Sequence, residues 1–270
     1  MRMTGSDLSR RNLKVFPAVL MLAIVATQLL AWHLGIVDGA AKWTLAGIEM
    51  AVLLALLWNG WRIRRYLVGQ GAAPNQQHVA TLAFWSLAIC TLGDLVNRNL
   101  PPRYFSYDSV IEHSYLADSV WFFFPGYALF IAAAWLASRD RVAATWRIPA
   151  LLIVALAGLL SFFDLVLPDT ATYIRVMTGA YTMLISMMVP AGLWILLAFG
   201  KRSWPVALGA VLATVADALI GHFWLFGSGW YPAIAFINFI VYFLSQALIQ
   251  QLPLIMLPAI TPQSTQEPRA

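Results

Sequence analysis

The chain carries one cysteine, Cys90, and little charge: only 11% of its 270 residues are Asp, Glu, Lys or Arg. One cysteine excludes an intrachain disulfide and a cysteine-rich metal centre. The shortage of charge excludes an ordinary soluble domain, where about 25% of residues are charged. The four histidines, His33, His78, His113 and His222, follow no HxxxH or HExxH spacing, so a metal enzyme is disfavoured and no cofactor is implied. The chain also lacks a GxSxG elbow, a Walker A loop, a dinucleotide fingerprint and a DxxxD metal-diphosphate motif. No lysine lies mid-span in the last two apolar stretches, which argues against a retinal protein.

What is present is apolar: 61% hydrophobic residues, with 12 Trp and 15 Phe. Runs of about 20 apolar residues match the length of helix that crosses a bilayer. Eight such spans are read, at 15–33, 43–59, 79–97, 119–137, 148–167, 176–199, 204–226 and 233–252. The expected fold is all-α, a polytopic membrane protein built as a bundle of about eight transmembrane helices over 15–252. A basic segment, 1–14, precedes it, and a polar tail, 253–270, is expected to be disordered. Gly69-Gln70-Gly71, Pro101-Pro102, Pro168-Asp169 and Lys201-Arg202 punctuate the connections.

The net charge of +5 is not a nucleic-acid footprint, because in such a chain the placement of basic residues carries the information. Thirteen of the 17 fall on one side of the alternating loops. The other side receives Lys42, Arg98, Arg103 and Arg175. The positive-inside rule then places both termini in the cytoplasm. The first span follows basic residues, but its apolar run is long. Trp32-His33-Leu34-Gly35 makes a poor cleavage site, so it is read as an anchor and not a signal peptide.

Against this background the acids stand out. Asp94 and Asp217 lie inside apolar spans, where an ionisable group costs roughly 2.5–3.5 kcal/mol on insertion scales. Such residues face a bundle interior or a wet cavity, which makes both catalytic candidates. Glu49, Asp94, Asp118, Asp164 and Asp217 all collect toward the half away from the basic loops, as a polar cavity opening there would require. Thr91, Asp94, Asn97 and Arg98 share one helical face. Arg98 is placed either to pair with Asp94 structurally or, with Asn97, to bind a polar head group. Asp217 has no basic residue within a turn and sits among Ala210, Ala213 and Gly221. It suits either a tight interhelical hydrogen bond or the role of a general acid, which needs a protonated carboxyl. Glu49 is read as a third acid or a structural acceptor, and Asp164 as interfacial. The last span carries Asn238, Tyr242, Gln246 and Gln250 at i+4 steps, a polar stripe that should face inward. Thr178, Tyr181 and Thr182 give the sixth span a milder polar side. At ~1.5 Å rise per residue, Asp94 and Asp217 are expected about 9 Å apart in depth.

These segments resemble the YhhN family, the bacterial relatives of animal lysoplasmalogenase. Ala213-Thr214-Val215-Ala216-Asp217-Ala218-Leu219-Ile220 is similar to the family's F-x-S-D-x-x-L segment. Val241-Tyr242-Phe243-Leu244-Ser245-Gln246-Ala247-Leu248-Ile249 resembles its T-Y-x-x-A-Q-x-L-I ending. Leu92-Gly93-Asp94 resembles the L-G-D of the third helix, and the stretch from Tyr181 to Met188 its Y-x-x-x-I-x-x-M helix. Ala216 departs from the usual serine, the fourth span lacks an expected histidine, and the loop from Tyr107 to Asp118 is longer than usual.

The resemblance implies a bacterial inner-membrane hydrolase that cleaves the vinyl ether bond of lysoplasmalogens without a metal or nucleotide. Its products would be a fatty aldehyde and glycerophosphoethanolamine or glycerophosphocholine. Asp217 is then assigned as acid and Asp94 as electrostatic stabiliser or base, or the two with their roles exchanged, since coupled carboxyls titrate as a pair. Asn97, Arg98, Tyr181, Asn238, Tyr242 and Gln246 are the expected substrate-binding residues, and the partners are the lysophospholipid substrate and membrane lipids. Two other readings compete. A membrane terpene cyclase would also use buried carboxyls, with Trp and Phe stabilising cations. A transporter or receptor would use the acids to carry protons or bind a cation.

Overall fold

Inside a bilayer every backbone N–H and C=O must find its partner within the protein, so an apolar chain of this length folds into helices. The computed structural model describes residues 5–36, 39–97, 115–225 and 231–257, and among these no strand occurs. The elements are α1 (Gly5–His33), α2 (Gly39–Gly69), α3 (Pro74–Asn97), α4 (Tyr115–Ser138) and α5 (Ala144–Leu165). They continue with α6 (Thr172–Ser186), α7 (Met188–Phe199), a 3-10 turn (Gly200–Ser203), α8 (Trp204–Trp224), α9 (Tyr231–Ile249) and α10 (Leu252–Ile255). Arg98, Arg103, Tyr107, Asp108 and the residues after 257 lie outside the described residues.

Six helical runs among the described residues are long and apolar enough to cross a membrane. One of them, Thr172–His222, spans α6 through α8 and doubles back at Gly200, whose φ of 65° suits a residue without a side chain. Ala235–Ile249 is apolar but shorter. Each stretch read from the sequence falls largely on helix, but α1 begins and α2 ends ten residues beyond the expected 15–33 and 43–59, and the other described ends differ by five residues at most. The single span expected at 176–199 is divided at Met187 into α6 and α7. Pro190 is the cause: it has no N–H to offer the Ser186 carbonyl one turn earlier.

The surface shows what solvent the fold requires. On α5, Trp146, Leu152, Ile153, Leu156, Leu160 and Phe163 are all exposed, and on α1 Val19, Leu22 and Leu30 are. Apolar faces of that extent are stable against lipid chains and not against water. Helix α2 is 31 residues long, about 46 Å at ~1.5 Å per residue, and overruns a hydrocarbon core of ~30 Å. Its overrun carries Arg62, Arg64 and Arg65 beside the stacked pair Trp58–Trp61, an arrangement suited to a membrane interface.

Helices α1, α2, α3, α4, α7, α8 and α9 pack in that order into a closed circuit, α9 returning to α1. Helix α6 continues α7 along α4, and α5 lies outside against α6 and α7. Close approach depends on glycine. A Cβ on Gly126 would stand 2.5 Å from the Cys90 Sγ, and one on Gly93 would meet the Phe123 ring at 3.0 Å, so α3 and α4 interlock reciprocally. Gly192 admits the Ala207 backbone of α8, and Gly209 admits Leu248 of α9.

Buried polar pairs tie the circuit. Gln28 donates to Glu49 across α1 and α2 at 2.5 Å, which makes Glu49 a structural acceptor. Asn59 donates to the Leu13 carbonyl and to Gln250. At the basic end Arg10 donates to Leu254 O, and Arg141 to Ala198 O. Leu252–Ile255 is helical and buried, so the expected tail does not begin at 253: the packed chain runs through α10. Likewise α1 already begins at Gly5, inside the segment read as a basic extension.

Candidate functional site

The interlocked glycines bring Asp94 on α3 against α4, and α9 lays its polar stripe over both. Asp94 is only 4% exposed and accepts a hydrogen bond from the Tyr242 hydroxyl. On the same stripe Gln246 donates to the Tyr127 hydroxyl at 3.4 Å, and Gln250 accepts from Asn59. Asn238 is buried, and its Oδ1 finds no hydrogen-bond partner among the described residues. The stripe thus faces inward, as its i+4 spacing requires.

Asp217 has a parallel arrangement on α8. The Tyr181 hydroxyl of α6 donates to its Oδ2 at 2.8 Å. The two Tyr–Asp pairs are joined by aromatic rings. Tyr242 meets Phe123 edge-on with centroids 6.1 Å apart, Phe123 stacks on Tyr127 at 6.2 Å, and Tyr127 lies 6.4 Å from Tyr181. These separations are those of ordinary aromatic packing. The row of rings Tyr242–Phe123–Tyr127–Tyr181 thus runs from one carboxyl's partner to the other's through the bundle interior.

A cavity of about 240 Å³ opens beside the Asp217–Tyr181 pair. It lies between the end of α3, the start of α4, the end of α5, the second half of α6 and the end of α8. Asp217, Tyr181 and Asn97 line it, together with Ser119, Phe123, Phe162, Thr178, Thr182, Ser186 and Thr214. Asp94, Asn238, Tyr242 and Gln246 are not among the lining residues. They form a layer behind Phe123, whose ring both lines the cavity and packs on Tyr242. At the rim Ser161, Leu165, Ala218 and His222 line the cavity and are also exposed, whereas Ser119, Phe162, Thr178 and Tyr181 are buried at its base. The exposed rim on α5 and α8 connects the cavity with the lipid-facing surface.

Of the residues singled out from the sequence, Asp217, Tyr181 and Asn97 share the cavity and Asp94 joins Tyr242 behind it. Arg98 lies outside the described residues. Asp164 is exposed, in keeping with an interfacial role. The sequence reading missed Tyr127 and Phe123, which link the two pairs. Both sit in the unbroken apolar run of α4, where nothing in the local pattern marks them. Ser119, Ser186 and Thr214 were missed as well, although Ser186 extends the i+4 series of Thr178 and Thr182.

Lipid-facing helices around an inward polar layer, with a carboxyl-lined cavity among the described residues, define a polytopic helical membrane protein with a candidate internal site. The chain belongs to the YhhN family, whose pattern matches residues 41–252. That stretch takes in every described cavity residue and the polar stripe of α9. No curated protein and no solved structure matches the chain.

Proposed function

We propose that this protein is a membrane hydrolase of lysoplasmalogen type, cleaving the vinyl ether bond of a single-chain phospholipid to a fatty aldehyde and a glycerophospho-base. Membership of the YhhN family supports the class. The observation that carries the chemistry is Asp217, held by Tyr181 on the wall of a small, largely apolar cavity that reaches the lipid face.

A vinyl ether breaks once a proton reaches its β-carbon. Protonated Asp217 donates that proton, the ether oxygen shares its lone pair with the α-carbon, and an oxocarbenium ion forms. Water adds to the α-carbon and gives a proton back to the Asp217 carboxylate. The resulting hemiacetal collapses to aldehyde and alcohol. One carboxyl therefore serves as acid and then as base, a sequence related to glycoside hydrolysis through a similar cation. Phe123 and Phe162 line the cavity and supply aromatic surface suited to the transient positive charge. Tyr181 orients the carboxyl.

Asp94 is better suited to positioning than to proton transfer, because it is bonded to Tyr242 and separated from the cavity by Phe123. A cavity of about 240 Å³ falls below the ~300–1,000 Å³ of sites that enclose a whole drug-sized ligand. It suits the reacting segment, with the alkyl chain leaving past Leu165 and Ala218 toward the bilayer.

The test is aldehyde release from lysoplasmenylethanolamine or lysoplasmenylcholine by purified protein in the presence of a chelator. Wild type is expected to be active. Asp217→Asn is expected to lose activity by about 10²–10⁴-fold, the usual worth of a general acid, while keeping its melting temperature. Full activity of Asp217→Asn would overturn the mechanism.

A further inference from the structure

At the basic end two arginines from different elements converge on one ring. Arg141, in the turn between α4 and α5, has its Cζ 4.6 Å from the Phe199 centroid and donates from Nη1 to Ala198 O at 2.7 Å. Arg202, in the 3-10 turn after α7, has its Cζ 5.6 Å from the same ring. Phe199 closes α7 and is buried, whereas both arginines and the adjacent Lys201 are exposed. Like charges gathered on one ring repel, and the ring's negative face offsets only part of that. The carboxylate next in the chain to Arg141, Asp140, pairs with Arg139 at 3.4 Å. Neither Arg141 nor Arg202 makes an ion pair among the described residues, and only one of the five N–H donors of Arg141 is spent on Ala198. Arg147 is used differently. It is buried, lies 3.8 Å from the Trp135 ring and donates to Trp135 O, so it serves the fold.

An apolar wall leads away from this pair. Leu197, Leu193 and Val189 follow one another at i+4 steps along α7, and all three are exposed. On α8, which packs on α7, Trp204 and Leu208 are exposed as well. Cations at the end of a helix whose lipid-facing side is a continuous apolar stripe match an amphiphile of opposite charge. We propose that the Arg141–Phe199–Arg202 cluster binds the phosphate of an anionic phospholipid from the leaflet at the basic end, with an acyl chain laid along Leu197, Leu193 and Val189. Guanidinium forks meet phosphate oxygens bidentately, and basic residues at the ends of membrane helices attract anionic head groups. A soluble phosphate would meet the same cations but leave the stripe unused. Phosphatidylcholine would bring the same phosphate and chains, and with them a quaternary ammonium that the two fixed cations repel. The inference is independent of the reaction assigned to the cavity, which neither arginine lines.

Native mass spectrometry of the purified protein in neutral detergent tests this by counting bound lipid. Phosphatidylglycerol and phosphatidylcholine with identical chains are titrated in turn. Wild type is expected to bind phosphatidylglycerol about tenfold more tightly, and Arg202→Gln should reduce that preference below about threefold. Arg141→Gln should do the same, but it also gives up the bond to Ala198 O. Arg202→Gln takes no such bond with it, so it carries the test if the other variant fails to fold. Arg139→Gln removes the same charge from the same end, outside the cluster, and should keep the full preference. Glycerophosphoglycerol, the head group without chains, should not displace the bound lipid. Equal binding of the two lipids, equal loss in Arg139→Gln and Arg202→Gln, or displacement by the soluble head group would each overturn the proposal.

Discussion

Two aspartates set in apolar spans meet different surroundings in the fold because their tyrosine partners stand in different places. Tyr181 presents Asp217 to a cavity, whereas Tyr242 holds Asp94 in the packed layer behind Phe123. The division can be measured. Asp94→Asn preserves shape and still accepts from Tyr242, so its turnover is expected to fall about tenfold, against the 10²–10⁴-fold loss of a true proton donor. Tyr242→Phe removes a donor from a buried carboxyl and is expected to cost about 1–3 kcal/mol of stability. Thermal unfolding and kcat measured side by side check both. Equal and complete loss in Asp94→Asn and Asp217→Asn, with both proteins folded, would restore Asp94 as a reacting group.

Helix-on-helix contact is where the site is assembled, and the α3–α4 seam decides it. Gly93 and Gly126 let the two helices approach until Phe123 and Cys90 fill the opposite grooves, with Asp94 next to Gly93 on that seam. Gly126→Ala puts a methyl 2.5 Å from the Cys90 Sγ and is expected to destabilise by about 1–3 kcal/mol, as overpacking does. Adding Cys90→Ala removes the nearest clash but leaves the Cys90 N and Ser86 O contacts at 3.3 Å, so rescue should be partial. Parallel melting curves of the single and double variants would show this. An unchanged melting temperature in Gly126→Ala would mean the seam has slack. The polar stripe of α9 was legible because i+4 spacing on an apolar helix has one physical meaning. Phe123 and Tyr127 were not legible, because an aromatic within an apolar run looks the same whether it faces lipid or a carboxyl. The division of α6 from α7 is implied by Pro190, yet an apolar run of that length reads as one span.

At the scale of the whole molecule, a circuit of helices sets a basic end against an end with the cavity. Lys201 and Arg202 cap the first, and Asn97, Asp169 and His222 lie toward the second. The positive-inside rule predicts that the basic end faces the cytoplasm. The sole cysteine, Cys90, is buried and should resist labelling, so added cysteines report cleanly. Lys201→Cys is expected to react with a membrane-impermeant maleimide only after permeabilisation, and Asp169→Cys in intact cells; the reverse pattern would invert the orientation. By itself the sequence determined that the chain is helical and lipid-facing, and that Asp94, Asp217 and the α9 stripe turn away from lipid, Asp94 and the stripe buried and Asp217 half-buried. Each of those follows from the cost of polar groups in a bilayer and from the helical repeat. Tertiary structure alone decided which aspartate meets a cavity and which meets packed aromatics. Those outcomes turn on how helices are rotated against one another, and partners such as Asp94 and Tyr242, 148 residues apart, are joined by packing that no local spacing encodes.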